Sequence, residues 1–246
     1  MMTDLLLQRA NTLKLHGLLS HWDDIKEAVW VPQLIAWEET ARIQRSLERR
    51  RSSAHIERFT SIANFDWGWP TQCDRQVIEN WMRLNFINDA INPVLCGPNG
   101  IGKTMIACNV AHEALMRGYT VHFTTATDML NGLARLDSDT LLRQRIKYYT
   151  RPALLIIDGI GMQSYTDRHT DLLFEIINQR YEKRSTMIAT TKSFNEWRDI
   201  FPNASSVVSI IDRLLHHSNI VNLEGESYRL KESKNHQQYQ HNQEKI

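Results

Sequence analysis

The chain has 246 residues, with 29 Lys and Arg against 28 Asp and Glu, so it is long enough for one sizeable domain plus a smaller one. A formal net charge of +1 neither demands nor excludes a nucleic-acid partner, and the distribution of charge has to decide. Three widely spaced cysteines (Cys73, Cys96 and Cys108) show no disulfide or metal spacing, and neither a basic apolar leader nor an apolar run of about eighteen residues occurs. These features point to a reducing, cytoplasmic compartment with no signal peptide and no membrane span.

Residues 4–58 read almost entirely as helix. Leu6, Leu13, Leu15, Leu18, Leu19 and Trp22 supply an apolar face, and Pro32 marks a helix start after Trp30 and Val31. Farther along, Arg42, Arg45 and Arg49 recur at i, i+3 and i+7, and Arg50, Arg51 and Arg58 widen the patch. Glu48 and Glu57 are the local acids set against them. Such a patch suits a phosphate backbone; the competing reading is a solvated helix face.

Between residues 59 and 70 the helical pattern breaks. Phe59, Phe65, Trp67 and Trp69 cluster around Gly68 and Pro70, which suggests rings packed between two lobes more than a platform for a stacked base. From residue 71 helices and strands alternate. A helix is expected over 72–86, a strand over 93–96, and a helix over 104–117 with Gly118 at its C-terminal cap. Strands at 120–124, 153–157, 186–189 and 219–223 follow, separated by helices at 128–136, 139–149, 171–183, 195–200 and 206–217. Five strands spaced by helices predict a doubly wound parallel sheet, and the apolar run 153–157 suits a central strand buried on both faces. The tail from Lys231, rich in Lys, Gln, His and Asn, offers nothing to bury and is expected to be disordered.

The strand at 93–96 leads into Gly97-Pro98-Asn99-Gly100-Ile101-Gly102-Lys103-Thr104, which fits the phosphate-loop pattern G-x-x-x-x-G-K-[ST]. Its glycines let successive backbone N–H groups converge on an anion at a helix N-terminus. Lys103 adds a point charge for the β- and γ-phosphates, and the Thr104 hydroxyl is a Mg²⁺ ligand. A plain Gly-rich turn is the bland alternative, but the strand–loop–helix setting argues for a nucleoside triphosphate. Cys96 and Cys108 read as small core residues beside this loop. Asp158, carried on the buried run Leu154–Ile157, stands where a second, direct or water-mediated Mg²⁺ ligand is needed. Gly159 follows it, where many such ATPases place a water-polarising Glu, and Asp167, Asp171 and Glu175 are the nearest acids along the chain. Thr190, Thr191 and Lys192 end a strand beside the phosphate site, where Thr191 can meet a γ-phosphate or its water; the competing reading is an ordinary strand end. Arg213 could serve a neighbouring subunit's γ-phosphate or form an ordinary salt bridge. His216 and His217 read as structural, because adjacent positions on a helix point in different directions.

The order and spacing of these segments resemble the IstB-like ATP-binding proteins from about residue 5 to residue 231. The resemblance rests on Leu154–Gly161, Asp171–Glu182, Phe194–Trp197, Ile211–His217 and Ser227–Leu230, together with the phosphate loop and the Arg-rich helix. It implies an AAA+ core related to the DnaC helicase loaders, preceded by a small helical domain. The corresponding divisions are 1–58 for the helical domain, 59–70 for the junction and 71–230 for the ATPase core. It further implies ATP with Mg²⁺, double-stranded DNA, a transposase of an insertion sequence, and a homo-oligomer formed with ATP. Residues 97–104 match the Walker A loop, Asp158 the Walker B acid and Arg213 the trans-acting arginine. Members usually carry an acid at the position of Gly159 and Asn at that of Thr191, so efficient hydrolysis is what these departures put in question. A replicative helicase loader is the alternative within the same fold. A small-molecule kinase is a third reading, but the chain offers no recognisable arginine-bearing lid and that reading leaves Arg213 unexplained.

Overall fold

The structure, a computed structural model, describes residues 2–56 and 59–231. Arg58 and the tail beyond Lys231 lie outside the described residues. The chain divides into two compact units, Met1–Ser52 and Ser53–Ile246.

The first unit is helical, but its helix is interrupted more often than the sequence pattern suggests. Helices Met2–Thr12, His16–Leu19 and Trp22–Ile25 precede a long one, Trp30–Ala54. The first break falls at Lys14, whose φ of 51° lies in the left-handed region and stops the helix. Pro32 sits in the first turn of the long helix, where its missing N–H costs no hydrogen bond. Leu6 and Ala10 on the first helix and Leu13 just past its end meet Val31 and Ile35 on the last, with Leu15, Leu18, Leu19 and Trp22 packed around them. The spacing i, i+4, i+7 therefore selects the buried face. Arg9 fixes the packing angle through a two-point contact, Nε to Glu39 Oε1 at 2.8 Å and Nη2 to Oε2 at 2.5 Å.

The second unit is built on five parallel strands: β1 Asn92–Cys96, β2 Val121–Thr125, β3 Leu154–Ile160, β4 Ser185–Thr190 and β5 Ser218–Asn222. Their order is β2-β3-β4-β1-β5, with helices supplying the crossovers. The fold is the α/β class expected, that of an AAA+ P-loop NTPase with a five-stranded parallel sheet. Buried β3 and β4 form its centre, and their apolar runs are continuous because both faces are covered. β3 runs three residues farther than the apolar run, with its register to β4 shifting between Asp158 and Ile160. Gly159 occupies that bulge with a φ of 77°.

Capping and anchoring residues explain several boundaries. The helix expected over 72–86 is Arg75–Met82, capped by Asp74 Oδ1 accepting from the Val77 N–H, and it ends because buried Leu84 takes a φ of 65°. Gly118 (φ 92°) closes helix Lys103–Met116 with Gly118 N–H to Leu115 O and Tyr119 N–H to Ala114 O, a Schellman pair. At the other end of the sheet, Arg180 is 1 % exposed and has no acidic partner in its hydrogen-bond set. Its guanidinium instead donates to Thr186 Oγ1 and to the carbonyls of Tyr149, Thr150, Pro152, Ala153 and Ser185, joining the starts of β3 and β4 to the end of helix Asp139–Thr150. Burial pushes it down to about 9, so it remains charged at neutral pH. Among the described residues no helix is long and apolar enough to cross a membrane.

Candidate nucleotide site

The phosphate loop joins β1 to helix Lys103–Met116, whose first turn begins at the loop lysine. Gly100 and Gly102 have φ of 79° and 109°, conformations that side-chain-bearing residues rarely adopt. A second constraint is steric: a Cβ at Gly100 would overlap the Ser227 side chain, and one at Gly102 would overlap the ring of Phe65. The loop is thus held from behind by two segments distant in sequence. Tyr228 N–H donates to Gly100 O at 3.0 Å, and Trp69 Nε1 donates to Glu226 O at 2.8 Å. Phe65 lies 4.7 Å from Trp67, ring centre to ring centre. The aromatic segment therefore packs onto the phosphate loop and the returning C-terminal strand end.

Lys103 Nζ donates to Gly97 O at 2.7 Å and Pro98 O at 2.8 Å. Burial pulls its pKa below the ordinary lysine value, while the charge of Asp158 works in the opposite direction. Thr104 Oγ1 donates to Asp158 Oδ2 at 2.6 Å. Two hard oxygen donors this close suit Mg²⁺, for which cis ligands at 2.0–2.1 Å sit about 2.9 Å apart. A cavity of about 640 Å³ opens in front of the loop, lined among others by Thr60, Asn64, Asp66, Asp158, Gly159 and Thr191. Thr191 lines the same cavity as Asp158, and its N–H donates to Ile160 O at 3.1 Å.

Arg229, to which the sequence reading assigned no role, also lines this cavity and opposes the charge of Lys103. No local pattern marks it; the clue is only that Ser227–Leu230 follows the last strand. A second cavity of about 510 Å³ shares Thr104 and Asp158 and is lined by Asp128 and Arg145. Asp167, Asp171 and Glu175 line neither cavity. Asp171 instead accepts from Asn203 and Ser206 at the start of helix Ala204–His216, and Glu175 accepts from Gln179. Cys108 is buried, its thiol pushed up to about 11 by desolvation, whereas Cys96 is only half-buried and lends its S–H to Lys192 O.

Arg213 does not line the phosphate cavity of its own chain. Its guanidinium lies over Phe174 (4.9 Å) and Tyr181 (5.9 Å), and Nη1 donates to Ser209 O. In the first unit, Arg42, Arg45, Arg49 and Arg51 are exposed on the long helix and Arg50 is half-buried. Glu38, not counted among the local acids above, accepts from both Arg42 (2.6 Å) and Arg45 (3.3 Å). Arg50 donates to Ser46 Oγ.

Sheet order and phosphate loop together define the AAA+ P-loop fold. The chain matches the IstB-like ATP binding protein family over residues 9–236 and belongs to that family. It is 35 % identical over 202 residues to a Geobacillus stearothermophilus protein of insertion sequence IS5376, named for ATP binding, covering 82 % of this chain and 80 % of that one. A corresponding protein of IS21 from Pseudomonas aeruginosa is 32 % identical over 197 residues, 80 % of this chain and 74 % of the relative. Among solved structures, DnaI superposes with a TM-score of 0.57 at 15 % identity, over 67 % of this chain and 90 % of DnaI. The DnaC helicase loader gives 0.51 at 17 % identity, over 72 % and 99 %. At these identities the two structures establish the fold alone.

Proposed function

We propose that this protein binds ATP with Mg²⁺ at the phosphate loop and uses it to assemble on double-stranded DNA as the helper of an insertion-sequence transposase. The observation that carries the reading is the Thr104–Asp158 contact beneath a glycine loop that presents Lys103, in a chain of the IstB-like family. In this reading Lys103, the loop N–H groups and Arg229 hold the phosphates. Thr104 and Asp158 hold Mg²⁺, which neutralises charge on the β- and γ-phosphates. Thr191 faces the terminal phosphate. Arg213, absent from its own chain's cavity, completes the site of a neighbouring copy, so that ATP favours the assembled state by binding it better than the separated one. The arginines of the long helix grip DNA phosphates, and the insertion-sequence relatives favour transposition over helicase loading.

Sedimentation of the protein with duplex DNA, with and without ATP, tests this reading. ATP should shift the protein into larger DNA-bound species, and Arg213→Ala should prevent the shift while leaving the ATP affinity of the separated protein intact. Lys103→Ala should weaken ATP binding by more than tenfold, since a charge-assisted phosphate contact is worth about 1.5–3 kcal/mol. Unchanged affinity in calorimetry of that variant would overturn the assignment.

A further inference from the structure

Helix Ala204–His216 ends at a group of side chains that the nucleotide reading does not use. His217 lies beyond the last helical residue, with φ −130° and ψ 74°, so its ring does not follow the helical 100° step. The two imidazoles come together with centroids 4.0 Å apart. This corrects the expectation that adjacent positions keep His216 and His217 apart. Glu182, in the turn after helix Asp167–Arg180, directs its carboxylate at both: Oε1 is 3.5 Å from His217 Nε2 and 3.8 Å from His216 Nδ1.

We propose that Glu182, His216 and His217 form a zinc-binding site. Their three donor atoms lie within 4.8 Å of one another, the one such group of His, Cys, Asp and Glu among the described residues. In a tetrahedral zinc site with bonds of 2.0–2.1 Å, donors stand about 3.3 Å apart, so the observed spacings need only small side-chain rotations. Two imidazole nitrogens and one carboxylate are a borderline-soft set that favours Zn²⁺ over Mg²⁺ or Ca²⁺, which take oxygen shells. Tyr181 Oη, 2.7 Å from His216 Nδ1, or a water fills the remaining position.

The backbone beneath the donors is fixed on both sides. His217 O accepts from Asn92 N–H at 2.7 Å, which ties the donor to the start of β1. The Glu182 turn is closed by Lys183 and Arg184 N–H groups donating to the carbonyl of Arg180, the most heavily anchored side chain of the unit. Glu182 itself is held at a φ of 55°, uncommon for a residue with a side chain. All three donors are about half exposed, so a hydrated ion can reach them. Zinc would clip the end of one helix to the turn after another, and Tyr181 would connect it to the ring platform on which Arg213 rests. The proposal does not depend on the nucleotide reading.

The full chain, stripped with chelator and dialysed, should bind ZnCl₂ with one-to-one stoichiometry in calorimetry. Co²⁺ in its place should give the intense visible bands of a four-coordinate N/O site. His216→Ala, His217→Ala and Glu182→Gln should each weaken zinc binding by at least about tenfold, since even outer-shell partners of zinc ligands are worth 10–100-fold. His236→Ala with His241→Ala should leave it unchanged, excluding capture by the tail. The exposed donors make all of these variants foldable, which circular dichroism verifies. Absence of stoichiometric zinc uptake, or equal uptake by the Glu182→Gln and His217→Ala variants, would show that the cluster is only a surface ion pair and would overturn the proposal.

Discussion

Gly159 offers the sharpest test of how this site treats ATP. The position after Asp158 carries no carboxylate, and the loss of a group that orients and deprotonates water removes about 10² to 10⁴ in rate, or roughly 3–5 kcal/mol of barrier. Gly159→Glu should therefore accelerate hydrolysis by about 10² or more while leaving ATP affinity within a few fold. The backbone sets the cost. Gly159 sits in the β3 bulge at a φ of 77°, where an L-residue is strained by roughly 1–2 kcal/mol, lowering the melting temperature by about 2–8 °C in a unit of this size. A new Cβ would also approach Met162 Sδ to 2.9 Å, a contact the flexible thioether can relieve. Gly159→Ala carries the same strain without the carboxylate and is the control. Steady-state phosphate release on duplex DNA, measured for all three proteins with a thermal melt of each, separates the two effects. Equal acceleration by Ala and Glu would refute the general-base reasoning. So would turnover of order 1 s⁻¹ by the unaltered protein, within the usual enzyme range. In that event Asp128, the remaining carboxylate on the cavity that shares Thr104 and Asp158, becomes the residue to replace by Asn.

Three further outcomes are expected. If the arginines of the long helix grip phosphates, replacing Arg45, Arg49 and Arg50 by Ala should lower the slope of log affinity against log salt by up to about three, and an unmoved slope would assign them to a solvated or protein-facing surface. Part of the Arg45 contribution is expected to be missing already, because Glu38 competes for it. Arg180→Ala should reduce unfolding free energy by at least about 3 kcal/mol in urea titration, since it removes a donor from five carbonyls at once, those of Tyr149, Thr150 and Ser185 in buried contacts, with Thr150 O retaining Arg184 as a second donor; a loss under about 1 kcal/mol would contradict the staple. His122 is held down to about 4 by burial against an ordinary value of 6.5, so the folded state binds its proton less readily than the unfolded chain. Stability should be intact above pH 6.5 and fall by up to about 3 kcal/mol as pH drops to 4, and His122→Leu should flatten that part of the profile.

What was legible in the sequence is what local chemistry dictates. β1, β3 and β4 stand out because strands covered on both faces carry an unbroken apolar stretch (Val94–Cys96, Leu154–Ile157 and Met187–Ala189), and the phosphate loop because its glycines, lysine and threonine have fixed offsets. The apolar face of the first unit was visible for the same reason: Leu6 and Leu13 repeat at helical spacing. The features missed come partly from contacts between segments far apart in the chain and partly from local detail of helix faces and helix ends. Arg229 joins the phosphate cavity only because β5 runs beside β1 and returns the chain to the loop. Glu38 meets two arginines because Arg42 and Arg45 follow it along one helix face, although it precedes the Arg-rich stretch in sequence. His217 turns toward His216 because the helix stops one residue earlier than its pattern suggests.

The glycines of the phosphate loop show how the two kinds of information combine. A sequence motif explains Gly100 and Gly102 by dihedral freedom and by access to the anion, and both have the positive φ that this requires. The fold adds an independent demand on their opposite side, where Ser227 and Phe65 press against the positions a Cβ would fill. Substitution at either glycine should therefore disturb two things at once, the anion cradle and the packing of the aromatic and C-terminal segments that support it. Those same segments carry Asp66 and Arg229 into the cavity. The shape of the phosphate loop and the supply of charged groups around it are thus set by one packing arrangement, in which the aromatic segment before the sheet and the segment after β5 close on the loop from opposite ends of the second unit's sequence.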